Sequence, residues 1–250
     1  MIRVTLLDEL KRSWAITLKD MKIYYLRPHA LMFGILFPVA LFFTFSTGRN
    51  MPPERLIPIL AAQTVFWSAS SIGPASIPME RRIRTFERFL SAPISLLSVL
   101  WGKMMAGFLF GVGITTLAVG IGLLWSGQNI TNPLALFFGV VISAMVYSAM
   151  GILFASIPTS SPGEVTVPLN IVRIPLMFIS GMFTPLDSMS SIGVYAALLS
   201  PLTHTLDLLK LGTGGSSFFG LTVNICVLSA WMFVFLYLGQ LFHKIIMKRE

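Results

Sequence analysis

Charge is scarce in this chain of 250 residues: 11% are Asp, Glu, Lys or Arg, where soluble domains average about 25%. Hydrophobic residues make up 55% and mean hydropathy is +0.80. So few charges cannot clothe a soluble fold, and a polytopic membrane protein is expected. The single cysteine, Cys226, excludes an intrachain disulfide. No Gly-x-x-x-x-Gly-Lys-[Ser/Thr] phosphate loop is present; Gly212-Thr213-Gly214-Gly215 lacks the lysine and the helix that should follow. There is no His-Glu-x-x-His and no carboxylate pair in a plausible cleft. The histidines His29, His204 and His243 all fall near expected span ends. His204-x-x-Asp207 comes nearest to a catalytic pair, but a polar helix-end contact explains it more simply. The chain is therefore expected to do no chemistry itself and to move or scaffold something.

What is present is organised around residues 79–93, the densest charge cluster. Met79, Ile83, Phe86 and Leu90 recur on one helical face, with Glu80, Arg84, Glu87 and Arg88 on the other, and Pro93 ends the pattern. This predicts an amphipathic helix. Before it, Leu7, Leu10, Trp14, Leu18, Met21 and Tyr25 recur at helical spacing among Lys11, Arg12, Lys19 and Lys22. That pattern predicts an interfacial helix ending at Arg27-Pro28. The first apolar run begins near residue 30, so no cleavable signal is expected.

The predicted spans are 30–47, 56–78, 104–126, 133–157, 165–184 and 219–242. Pro38 should kink the first. The second is rich in small and polar residues (Ser68, Ser70, Ser71, Gly73, Ser76), so it should pack on other helices or line a wet path. Gly107-x-x-x-Gly111 in the third is a small-xxx-small contact signal. Residues 190–199 and 202–211 are too short to span and predict interfacial or re-entrant helices, an outer cap over 186–211. Arg173 falls inside the fifth span, with Asn170 one turn away. A charge there costs about 2.5–3.5 kcal/mol, so it marks either a substrate path or dimer interface, or a side chain snorkelling toward Glu164.

Net charge is +8. Arg3, Lys11, Arg12, Lys19, Lys22 and Arg27 precede the first span, Arg81, Arg82, Arg84, Arg88 and Lys103 follow the second, and Lys244, Lys248 and Arg249 follow the last. The opposite side holds Arg49, Arg55 and Lys210. This bias predicts six spans in the plasma membrane with both ends cytoplasmic, basic loops against anionic lipid, and no nucleic-acid partner.

Three blocks then resemble one family. Glu80, Arg81, Thr85, Glu87 and Pro93 stand where ABC-2-type transporter permeases have Glu-Arg-Glu-x-Gly-Thr-x-Glu-x-Leu and a later proline. Phe89 or Leu90 supplies the apolar place; Arg82 replaces the second glutamate and Arg84 the glycine. Ser180-Gly181-Met182-Phe183-Thr184-Pro185 is similar to the family's Ser-Gly-x-x-x-Pro end of the fifth span. Ser200-Pro201-Leu202-Thr203-His204, with Asp207 and Lys210 following, is similar to its Asn-Pro-x-Thr-Tyr…Arg segment. The look is nearest to daunorubicin-resistance-type drug exporters.

The resemblance implies an all-α membrane domain over 1–250 that dimerises, as a homo- or heterodimer, and borrows a cytoplasmic ATPase. It makes 79–93 a coupling helix, with Glu80, Arg81, Arg84, Thr85, Glu87 and Arg88 as its coupling residues. Asn170 and Arg173 are then candidates for the path or dimer interface, and Pro185, Pro201, His204 and Asp207 for the outer cap. ATP and Mg belong to the partner, and this chain binds no cofactor or metal. The expected function is export of a lipophilic or amphipathic substrate. A secondary carrier is the main alternative, but carriers show inverted repeats and intramembrane acids, and neither is evident.

Overall fold

The computed structural model describes residues 6–24, 28, 32–46, 53–91 and 93–247. All secondary structure among them is helical. The helices are α1 (Leu6–Tyr24), α2 (Phe37–Ser46, entered through a π-helical turn at Met32–Leu36), α3 (Pro53–Ala69), α4 (Ile72–Arg82), α5 (Thr85–Ser91), α6 (Leu96–Ser126), α7 (Pro133–Phe154), α8 (Pro162–Ile179), α9 (Ser191–Leu199), α10 (Pro201–Gly212) and α11 (Gly220–Met247).

Local chemistry sets several boundaries. Ser95 caps α6, its hydroxyl accepting from the Ser98 amide at 3.2 Å, and Gly127 ends it in the left-handed conformation at φ 66°. Asn132 caps α7 in the same way, and Pro133, Pro162 and Pro201 occupy first-turn positions where a missing N–H costs nothing. The third predicted span thus begins at Leu96 rather than 104. The fifth is the 18-residue helix α8. Helices α9 and α10 occupy the two short stretches before the last span and meet at 87°.

Among the described residues, four helical stretches are long and apolar enough to cross a membrane: residues 55–82 (α3 with α4), α6, α7 and α11. The α9–α10 pair makes a fifth if it is one broken span. Helix α8 is not among them, because Glu164, Asn170 and Arg173 dilute its apolar residues. The first predicted span is described only over residues 32–46.

The second span is the core. In its apolar window 83% is buried, against 11% for α11. Phe66, Trp67 and Tyr147 are wholly enclosed, with Phe66 and Tyr147 edge to face at 4.8 Å between ring centres. The small residues expected to permit close packing do so. A Cβ on Gly107 would lie 2.7 Å from the Ala69 carbonyl oxygen, and one on Gly111 would lie 2.5 Å from the Ala69 Cβ. Helix α6 therefore lies against α3 closer than any larger residue allows. The Thr205 hydroxyl joins α10 to α7, at 2.7 Å from both Ser143 Oγ and Tyr147 Oη.

Candidate functional site

The expected single helix over 79–93 is two helices joined by an elbow. Helix α4 continues the second span to Arg82, Ile83 caps it with its amide on the Met79 carbonyl at 3.3 Å, and Arg84 turns left-handed at φ 54°. That turn is the usual helix stop, and it favours glycine because a Cβ clashes there. It explains why the family pattern has glycine where this chain has Arg84. The faces also differ from the expectation, because α4 turns Glu80 toward α1 and α6. Ile83, expected on the apolar side, is 60% exposed, while Glu80, expected outside, is 2% exposed. Helical periodicity does not survive a left-handed residue.

Outward from the elbow stand Arg82, Ile83, Arg84 and Arg88, all exposed. Inward stand Glu80, Arg81 and Phe86. Arg81 donates to the Ile157 carbonyl and lies 5.4 Å from the Phe86 ring centre, and Thr85 Oγ1 donates to the Glu80 carbonyl at 3.3 Å. The backbone of Glu87 belongs to α5; its side chain lies outside the described residues.

Glu80 belongs to a buried quartet of charges. Lys103 Nζ lies 2.6 Å from Glu80 Oε2 and 3.1 Å from Asp20 Oδ2, and Lys19 pairs with Asp20 at 2.7 Å and with Glu80. Lys103 and Asp20 are 0% exposed. Two lysines and two carboxylates cancel, which is what makes their burial tolerable. Burial pushes the Lys19 ammonium down, but the Asp20 and Glu80 carboxylates outweigh it and hold the group above its ordinary value. The quartet locks three elements together: α1, the end of the second span and the start of α6. Ser13 and Thr17 add hydrogen bonds to the Ser98 and Gly102 carbonyls, both at 2.8 Å. Glu9 accepts from Ser95 Oγ at 2.6 Å and from Ser98 Oγ, and these bonds hold its carboxyl below the usual range.

Sequence reasoning missed this quartet. Lys19 and Lys103 looked like ordinary basic flanks, and Asp20 gave no signal. Only one hint was available: an acid among the basic residues of a juxtamembrane helix, opposite Lys103 at the predicted cytoplasmic end of another span.

Arg173 lies on α8. It is 1% exposed and points into the fold. Its guanidinium stacks 4.8 Å from the Trp67 ring centre, donates to Ser70 Oγ, and reaches Asn170 Oδ1 at 3.2 Å. Trp67 and Ser70 lie at the break between α3 and α4, and Asn170 one turn before Arg173 on α8. Glu164, in the first turn of α8, accepts from Thr159 Oγ1 at 2.6 Å.

Among the residues expected to form a cap, Pro185 starts a short turn and Pro201 opens α10. Asp207 accepts from Ser217 Oγ, Asn224 Nδ2 and the Phe218 and Phe219 amides at 2.6–3.0 Å. His204 Nδ1 lies 2.7 Å from Asn224 Oδ1 and its Nε2 3.0 Å from the Leu198 carbonyl. All of these partners are internal, and they pin α9, α10 and the start of α11 to one another. No group of His, Cys, Asp or Glu among the described residues could hold a metal ion.

The sequence profile of one family, described as ABC-2 type transporter, matches residues 9–212. No curated protein matches the chain.

Proposed function

The chain belongs to the ABC-2 type transporter family, and on that premise we propose that it is the membrane subunit of an ATP-driven exporter. It works as a dimer and draws energy from a separate cytoplasmic ATPase that carries the ATP and Mg. The topology is six spans in the plasma membrane with both ends in the cytoplasm, α8 and the first apolar run completing the four most apolar stretches. The substrate is lipophilic or amphipathic and is taken from the cytoplasm or the inner leaflet.

The observation that carries this reading is the elbow. Exposed Arg82 ends α4 at the tip of the most buried span, Arg84 makes the left-handed turn and exposed Arg88 lies on α5, with only Ile83 and Arg84 between the two helices. A force on α5 therefore reaches the bundle through α4, and the quartet passes it to α1 and α6. Rigid-body rocking of spans is the expected response. Arg82, Arg84 and Arg88 make the docking tip basic, so the ATPase groove that receives it is acidic.

The test is charge reversal at the exposed tip. Arg84→Glu with Arg88→Glu is expected to lower the amount of co-purifying ATPase at least 10-fold while the chain still inserts and elutes as before. Undiminished ATPase binding contradicts the coupling role.

A further inference from the structure

The buried charges elsewhere in the bundle are matched. Lys103, Asp20 and Glu80 hold one another, and Asp207 accepts from Ser217, Asn224 and two backbone amides. Arg173 differs. Among the described residues it pairs with no carboxylate: Ser70 and Asn170 are neutral, Trp67 offers a ring face, and the Nε–H has no acceptor. A guanidinium keeps its proton even when buried. The site therefore holds a full positive charge that nothing in the fold cancels.

Its depth is given by two helices. Arg173 stands roughly 17 Å along α8 from Pro162, and Ser70 stands roughly 18 Å from Arg82 along the second span. In a hydrocarbon core about 30 Å thick, both distances put the guanidinium near the midplane. The helix that carries it is built to move. Val165, Leu169, Arg173 and Met177 hold α8 to the bundle along one narrow stripe, while Ile171, Ile174 and Phe178 are exposed. Pro168 and Pro175 lie inside α8 on either side of Arg173, and they leave the Glu164 and Ile171 carbonyls without their usual amides. The helix bends most easily at those points. Asn170, half-buried, joins Arg173 to the exposed side.

We propose that Arg173 binds the acidic headgroup of the substrate, an amphiphile with a phosphate or carboxylate on an apolar chain, in the seam between α8 and the second span. It rests on the exporter reading above. The Nε–H and the adjoining Nη2 form the edge of the guanidinium that grips such a headgroup bidentately. Bending of α8 opens the seam, and the apolar chain lies along Ile171, Ile174 and Phe178. A headgroup sheds its water in crossing the midplane, and a cation already desolvated there takes the place of that water.

A photo-affinity probe tests this on the full chain in native membranes: dodecyl phosphate with a diazirine on its second carbon, the attachment sites located by mass spectrometry. Label is expected on α8 or α3 within about one turn of Arg173. Excess dodecyl phosphate should suppress it at least 10-fold, and dodecanol should not. Suppression by dodecanoate as well assigns the site to both acids; its absence assigns the site to phosphate, and either result supports the proposal. Arg173→Lys should keep the label and Arg173→Gln should lose it at least 10-fold. Lys11→Gln with Lys22→Gln, at exposed positions on α1, should leave it unchanged. Label scattered over the exposed helix faces, suppression by dodecanol, or equal label in Arg173→Gln overturns the proposal. The first two readouts need no variant, so they decide even where Arg173→Gln fails to fold. ATPase retention in the same preparation separates the two readings. An ATPase retained without label in the seam overturns the headgroup site alone. A chain that purifies without an ATPase overturns the exporter reading, and the substrate role with it.

Discussion

Replacing Lys103 with methionine isolates the quartet, because the two side chains are close in length and the variant removes only the charge. Lys103 is 0% exposed and lies 2.6 Å from Glu80 and 3.1 Å from Asp20. Without it, two enclosed carboxylates share Lys19, whose side chain is 30% exposed and therefore partly screened. Stranding a buried charge in this way costs about 3–5 kcal/mol, or roughly 6–20 °C in Tm for a chain of this size. The second variant, Lys103→Met with Glu80→Gln, leaves one lysine and one carboxylate. It should recover about 2 kcal/mol, because the two sites are in contact and their effects do not add. Thermal unfolding of detergent-purified chain, followed by tryptophan fluorescence, reads both. A single variant within 1 kcal/mol of the parent, or a double variant less stable than the single, would refute the quartet as a lock.

Three further perturbations probe the other contacts. Arg84→Gly should be more stable than Arg84→Ala by about 1 kcal/mol, since only glycine relieves the left-handed residue; equal melting points would remove the elbow from the account. Arg173→Leu forfeits two charged hydrogen bonds of about 1.5–3 kcal/mol each and a desolvated cation–π contact of about 2 kcal/mol. It regains about 2.5–3.5 kcal/mol of insertion cost, so a net destabilisation of about 2–5 kcal/mol is expected in the same melting assay, and no loss would contradict the packing described. Glu9 has a carboxyl held below its ordinary value of 4.5 by Ser95 and Ser98. Its tether between α1 and α6 is complete above that value and is lost as pH falls through the depressed one. Spin labels at Lys11 and Leu97 should show a broader distance distribution only at pH well below 4.5, and Glu9→Gln should broaden it at neutral pH.

Much of this fold was legible because lipid and water impose simple patterns. The exposed stripe Leu7, Leu10, Trp14 and Leu18 on α1 matches its predicted apolar face, and the small residues of the second span do mark the most buried helix. The break between two short helices before Pro201 was also readable, since proline and length leave few options. The remainder depended on tertiary context. Periodicity cannot show that Arg84 turns left-handed, so Glu80 and Ile83 were assigned to the wrong faces. Arg173 illustrates the same limit from the other side. Its depth in the sequence was clear, but Trp67 and Ser70 are about a hundred positions away, and nothing local indicates that they neutralise it. Asp20 and Lys103 are equally distant, and each is unremarkable alone.

Purifying the full chain from its native membranes in mild detergent tests the central claim most directly. The prediction is a stoichiometric partner that carries a phosphate loop, a complex that hydrolyses ATP, and loss of both on Arg82→Glu with Arg84→Glu and Arg88→Glu. A folded chain that purifies alone, or a complex whose ATP turnover is indifferent to those three changes, would contradict it.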